Sequence, residues 1–114
     1  METFIMGDNL QVDLSLSLST EALPGIHIKL KDKIIKKSNL YDLKVPLGNS
    51  DDLEDNKLIV VINCFIDEHI DVIMENAVAE LSITDGTNTK LFTARKLKVE
   101  NEMFIICFYV ILKK

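Results

Sequence analysis

The chain has 114 residues, of which 47% are hydrophobic and 27% charged. This length fits a single domain over residues 1–114, and the balance of hydrophobic and charged residues excludes a disordered chain. Thirteen basic residues against eighteen acidic ones give a net charge of −5. Because phosphate contacts need a basic surface, we expect no nucleic-acid binding.

The N-terminal part of the chain begins without regular alternation and then becomes strictly alternating. Residues 1–8 lack the basic and apolar segments of a secretory signal, and we expect them to form a flexible arm. From Leu10 to Ser19 every even position is apolar and every odd position is polar. This pattern predicts a strand with one buried and one wet face. Pro24-Gly25 then predicts a turn, and Ile26–Lys31 predicts a second strand with a basic outer face.

The middle of the chain contains shorter strands and one long polar loop. Ile34-Ile35 is expected to form a short strand, and Tyr41–Leu47 a strand that ends at Pro46, since proline favours a sheet edge. Residues 48–56 are acidic and rich in turn-forming types, which predicts a loop. The continuous β-branched run Leu58–Ile66 predicts a central strand.

The C-terminal half has hairpin signals. Asp67–Asn76 fits either one helical turn or a loop that crosses between sheets. Ala77–Thr84 predicts a strand, and the Asp-Gly turn at 85–89 joins it to Lys90–Val99, in which a slip of the alternation predicts a bulge. A turn at Glu100 precedes the last strand, Met103–Leu112.

These signals together predict an all-β fold of seven or eight strands. Many short strands joined by turns are typical of a two-sheet antiparallel β-sandwich, immunoglobulin-like or jelly-roll-like. The chain contains no Trp and lacks the Cys–Trp–Cys spacing of immunoglobulin domains. A small closed β-barrel is the alternative architecture.

Two of the predicted strands have more apolar residues than a sandwich can bury. Leu58–Ile66 and Met103–Leu112 are apolar on both faces, whereas a two-layer sandwich buries one face of each strand. The second apolar face of these strands must be covered by residues 67–76, by another subunit or by a partner protein. An apolar patch that stays exposed on a single chain marks an interaction site. The residues expected at such an interface are Ile105, Tyr109 and Ile111, together with Lys29 and Lys31.

The lysines between Lys29 and Lys37 form the only basic run in the sequence. They either guard a sheet edge against aggregation or form a docking strip for an acidic partner. No aromatic residue lies between them, so base stacking has no platform here.

The acidic loops suggest an alternative function as a calcium- or small-ligand-binding module. Loops 48–56 and 85–89 would present hard oxygen ligands at one end of a sandwich, as calcium sites require. The candidate ligands are Asp51, Asp52, Asp55 and Asp85.

Catalysis has little support in the sequence, with a thiol centre at Cys64 or Cys107 as the only candidate, and we expect neither an enzyme nor a cofactor. No P-loop, dinucleotide fingerprint or metalloprotease motif is present. Cys64 and Cys107 lie within predicted strands, as reduced core residues in the cytoplasm would. The longest apolar run, Met103–Leu112, is too short for a membrane helix. The sequence therefore predicts a non-catalytic structural or interaction subunit that acts through sheet faces or edges. We expect it to form a homo-oligomer or part of a larger assembly.

Overall fold

The computed structural model describes residues 2–114, which form ten strands and two short helices. The strands in the first half are β1 (Glu2–Ile5), β2 (Gln11–Ser19), β3 (Leu23–Leu30), β4 (Lys33–Ser38) and β5 (Asp42–Asn49). The remaining elements are α1 (Ser50–Leu53), β6 (Lys57–Phe65), α2 (Ile70–Asn76), β7 (Val78–Thr84), β8 (Thr89–Phe92), β9 (Arg95–Glu100) and β10 (Met103–Lys113).

The strands form two sheets that pack together as a β-sandwich. Sheet A has the strand order β1-β10-β6-β3-β4, and β9 pairs with the same edge of β10 as β1 does. Sheet B has the order β5-β2-β7-β8. All pairs are antiparallel except β1 with β10. The predicted all-β sandwich is confirmed, with ten strands in place of seven or eight and with two open sheets rather than a closed barrel.

The core lies between the two sheets and follows the alternation of the sequence. The even-numbered apolar residues of β2, from Val12 to Leu18, are all buried, while its odd-numbered residues face away from the core. The even-numbered residues of β6 and β10 meet them from sheet A. Of these inward side chains, Phe104 and Phe108 are among the largest that are fully buried.

The N-terminal segment is ordered by packing, where the sequence predicted a flexible arm. Residues 2–5 pair in parallel with β10, and Phe4 lies opposite Leu112. Phe4 is only 2% exposed, and its ring meets that of Phe92 edge-to-face at a centroid distance of 6.4 Å. Burial of one large aromatic side chain holds a segment whose sequence carries little strand signal. Residue 1 lies outside the described residues.

The expected turn at Pro24-Gly25 lies instead within β3. Pro24 pairs with Cys64 of β6, and the pairing of β3 with β4 begins only at Ile26. At Pro24 the strand therefore has one neighbour, and proline is tolerated in a strand at such an edge position.

The segment Lys90–Val99 is not one strand with a bulge. It divides at Thr93-Ala94 into β8, which pairs with β7 in sheet B, and β9, which pairs with β10 in sheet A. The slip in alternation thus marks the point where the chain crosses from one sheet to the other.

Short helices lie in two segments outside the predicted strands. The acidic segment 48–56 includes α1, whose N-cap Asn49 accepts a hydrogen bond from the backbone N–H of Asp51. The segment 67–76, for which the sequence allowed either a helical turn or a loop, contains the helix α2. Pro46 lies on β5, an edge strand of sheet B, as predicted, although the strand continues past it to Asn49.

Candidate interaction face

The outer face of sheet A is apolar along its two central strands. The odd-numbered residues of β6 and β10 point away from the core, because the even-numbered ones are buried within it. Register places Cys107 beside Val61, and Tyr109 beside Ile59. Two adjacent strands thus present apolar side chains to the outside, interrupted on β6 by Asn63 opposite Ile105, since residues opposite each other share a face.

The apolar surface extends onto the neighbouring strands. On one side Leu97 of β9 lies opposite Ile105, and on the other side Leu23 of β3 lies opposite Phe65. Leu97 is 58% exposed, Leu23 69% and Phe65 49%. We call this surface the docking face. It consists of Leu23, Ile59, Val61, Phe65, Leu97, Met103, Ile105, Cys107, Tyr109 and Ile111.

The outer face of sheet B has the opposite character. Ser15 and Ser17 of β2 lie beside Ser82 and Glu80 of β7 on this face. Its apolar residues are few, with Leu91 the most exposed at 66%. Sheet B therefore has the polar, solvent-exposed outer face that is usual for an antiparallel sandwich, and sheet A does not.

Helix α2 does not cover the docking face. Lys96 and Lys98 lie opposite Ile106 and Phe104, whose side chains point inward, so both lysines belong to the inner side of sheet A. Lys96 donates hydrogen bonds to carbonyl oxygens of α2, and Lys98 forms an ion pair with Asp71 of that helix. Ile70 of α2 is buried at this end of the sandwich. Helix α2 is thus attached to the inner side of β9, and the segment 67–76 reaches the docking face only at its margin, where Ile73 lines a recess with Leu23 and Phe65.

Charged residues surround the docking face unevenly. Lys29, Lys57 and Arg95 share the outer side with Ile59, Ile111 and Cys107, and none forms an ion pair with a carboxylate of residues 2–114. The end near Leu23 and Phe65 is acidic instead. Five carboxylates line a recess there, namely those of Glu21, Asp67, Glu68, Glu100 and Glu102.

The predicted interface residues lie on or next to this surface. Ile105, Tyr109 and Ile111 all point outward from β10. Lys29 of β3 lies opposite Ile59 of β6, which in turn lies opposite Tyr109. Lys31 occupies the tight turn between β3 and β4 with a φ of 54°. The rest of the basic run, from Lys33 to Lys37, forms the exposed edge strand β4.

Sequence reasoning missed the contributions of Leu97 and Leu23 to this surface. Both become part of it only through strand pairing. Leu97 lies in β9, which the sequence predicted as one strand together with β8, and Leu23 precedes the turn that was predicted at Pro24-Gly25. Of the two cysteines expected in the core, Cys64 points inward and is fully buried. Burial raises the pKa of its thiol to about 11, whereas Cys107 is partly exposed on the docking face.

Two of the candidate calcium ligands, Asp85 and Asp51, lie near one end of the sandwich, where their carboxylates bind backbone N–H groups and a lysine of the same chain. Asp85 accepts hydrogen bonds from the backbone N–H groups of Asn88, Gly7 and Thr87 at 2.7–2.9 Å, and these bonds lower its pKa. The Lys114 ammonium, at 2.5 Å, lowers the pKa of Asp51.

The other two candidates, Asp52 and Asp55, belong to the same acidic segment. Asp55 forms an ion pair with Lys113, and Asp52 is exposed on α1. Within residues 2–114, no three metal-ligating side chains come close enough together to hold an ion.

Comparison with known proteins adds no relative. The chain matches no family model, no curated protein and no solved structure. No helix of residues 2–114 has the length and apolar character needed to cross a membrane.

Proposed function

We propose that this chain is a non-catalytic interaction subunit that self-associates through the docking face. The observation that carries the proposal is the contrast between the two outer faces. Sheet B shows that this chain can build a wet face from Ser, Glu and Lys. The Ile, Val, Leu and Met side chains outside sheet A are therefore not a requirement of the fold, and a contiguous exposed apolar patch marks an interaction site.

The size of the docking face supports a specific contact. From strand spacings, four strands and nine residues along β10 give roughly 19 by 30 Å, or roughly 1,100 Å² for two copies. Specific interfaces bury at least about 1,000 Å² in total. Tyr109 and Arg95 at one margin belong to the residue types that anchor interfaces most often.

A second copy is the partner whose charges fit this face. The docking face ends in a recess lined by carboxylates such as Glu21 and Glu100, and its other parts carry the unpaired cations Lys29, Lys57 and Arg95. Each copy thus carries both members of a complementary charge pair, as a self-complementary interface requires. Cys64 and Cys107 are both free thiols, which accords with our expectation that the chain works in the cytoplasm.

The experiment that tests the proposal is the native mass measured by light scattering and sedimentation over a range of concentrations. We expect a concentration-dependent oligomer that Tyr109→Glu dissociates, because a carboxylate buried in the contact lacks a partner. The matched control is Leu91→Glu, which places the same charge at a more exposed apolar residue of sheet B. A strict monomer, or equal effects of the two substitutions, would contradict the proposal.

A further inference from the structure

We propose that the cavity between β1 and β9, at one margin of sheet A, binds a free α-amino acid with an apolar side chain. We call this cavity the notch. It is lined by Glu2, Thr93, Arg95 and Tyr109, and its volume of about 470 Å³ lies within the range of small-molecule sites. The inference goes beyond the proposed self-association and does not depend on it.

The notch exists because two strands share one edge of β10 without meeting. Along this edge β9 pairs with β10 only as far as Cys107, and β1 begins opposite Val110. Phe108 and Tyr109 therefore have no strand beside them on this edge. From the rise per residue of a strand, Cys107 and Val110 are roughly 10 Å apart. This spacing leaves room for a small molecule between the starts of β1 and β9.

Contacts between β1 and the segment that leads from sheet B to sheet A fix one wall of the notch. The backbone N–H of Thr93 donates a hydrogen bond of 2.6 Å to a carboxylate oxygen of Glu2. Lys90 Nζ donates a hydrogen bond of 2.8 Å to the carbonyl oxygen of Thr3. The Glu2 carboxylate is therefore in place before a ligand arrives, and a site that is already ordered costs less free energy to fill.

The notch contains one carboxylate and one guanidinium that do not neutralise each other. Within residues 2–114, Glu2 and Arg95 form no ion pair, either with each other or with any other charged side chain. Arg95 is exposed, and it is the only arginine of the chain. A guanidinium binds a carboxylate through two parallel hydrogen bonds, a geometry that a lysine ammonium does not offer.

These two charges select the chemical class of the ligand. A simple carboxylate would meet Arg95 but also the like charge of Glu2, and a simple amine would meet Glu2 but also the like charge of Arg95. An α-amino acid carries an ammonium and a carboxylate on the same carbon, so it satisfies both residues at once. Tyr109 is 42% exposed and lies on the outer side of β10. Its ring therefore offers an apolar surface to the side chain of the amino acid.

Isothermal titration calorimetry with L-phenylalanine, L-leucine and blocked derivatives of L-phenylalanine tests the role of the two charges. We expect both amino acids to bind with dissociation constants below about 1 mM. N-acetyl-L-phenylalanine lacks the ammonium, and L-phenylalanine amide lacks the carboxylate. Each should bind at least about tenfold more weakly than L-phenylalanine, because one charge in the notch is left unpaired. Glycine, which has no side chain to contact Tyr109, should also bind more weakly.

Matched variants assign each charge of the ligand to its residue. Arg95→Gln should weaken the binding of L-phenylalanine at least about tenfold, and it should no longer distinguish the amino acid from its amide. Glu2→Gln keeps an oxygen for the Thr93 N–H, and it should no longer distinguish L-phenylalanine from the N-acetyl derivative. Lys44→Gln and Glu80→Gln remove one positive and one negative charge from the outer face of sheet B. Both control variants should leave all affinities unchanged.

The outcomes keep this inference apart from the proposed function. Absence of saturable binding of both amino acids, blocked derivatives that bind as tightly as L-phenylalanine, or equal effects of the notch variants and the sheet B controls would each overturn the amino-acid site. None of these results would affect docking-face association. A protein that is monomeric at every concentration, and that binds L-phenylalanine with the expected charge dependence, would support the site and overturn only the association.

Discussion

Replacement of Phe4 by Ala tests whether β1 is an integral part of the core. Phe4 is 2% exposed, faces inward beside Leu112 and meets Phe92 edge-to-face with an angle of 67° between the rings. Removal of a buried Phe side chain costs about 3–5 kcal/mol, which includes the loss of an aromatic pair worth about 0.5–1.5 kcal/mol. Because β1 is a four-residue edge strand that can partly close the cavity, we expect a loss of about 3 kcal/mol in the free energy of unfolding.

The assay is equilibrium unfolding in urea, followed by circular dichroism. The midpoint should fall while the slope of the free energy against urea stays constant, because a core truncation changes stability without changing the surface exposed on unfolding. Ile5→Ala is the matched control, since Ile5 lies on the same strand but is 58% exposed. Its effect should be below about 0.5 kcal/mol.

A small effect of the Phe4 substitution would refute the packing argument. If Phe4→Ala lowered the free energy of unfolding by less than about 1 kcal/mol, β1 would separate from β10 at little cost. Residues 1–8 would then behave as the flexible arm that their sequence predicts.

Two further predictions concern titratable groups. Asp85→Asn should lower the free energy of unfolding by about 1–3 kcal/mol at neutral pH, because a carboxylate oxygen that accepts a backbone N–H is lost. Since the folded-state pKa of Asp85 is lowered, its contribution is complete above the unfolded-state pKa of about 4 and is lost as the pH falls through the folded-state value. The gap between wild type and variant should therefore narrow in acid, and an equal gap at pH 6 and pH 3 would contradict this account. A thiol reagent should label Cys107 well before Cys64, whose pKa is about 11, as followed by mass spectrometry of peptides. Labelling of Cys107 should slow as the protein concentration rises, and equal rates at the two thiols would count against the burial of Cys64.

The sequence predicts the strands whose faces differ most in polarity. In β2 the serines alternate with buried leucines, so the period of two is visible without any knowledge of the partners. The surplus of apolar residues in β10 predicts in the same way that one of its faces needs a cover. That inference already named Ile105, Tyr109 and Ile111, and register places all three on one outward face.

Features that depend on distant pairing could not be predicted from local pattern. The crossing between sheets at Thr93-Ala94 leaves the strand character of the sequence unchanged, and only the partner strand differs on its two sides. The parallel pairing of β1 with β10 joins the two ends of the chain, and the sequence around Phe4 carries no alternation that would indicate it. Both features are set by which surfaces remain to be covered after the central strands have paired.

The edges of the two sheets favour a sheet face over a sheet edge for the association proposed above. The free edge strand β4 carries Lys33, Lys36 and Lys37, and its pairing with β3 contains a bulge. On the corresponding edge of sheet B, β5 contains Pro46 beside another bulge. The opposite edge of sheet B is the four-residue strand β8, and that of sheet A is shared by the four-residue β1 and by β9, which carries Lys96 and Lys98 and pairs with β10 through a bulge. Lysines, proline, bulges and short strands all prevent the addition of a further strand. Blocked edges, together with the Ile, Val and Tyr side chains outside sheet A, therefore favour the proposal that the chain associates through the docking face.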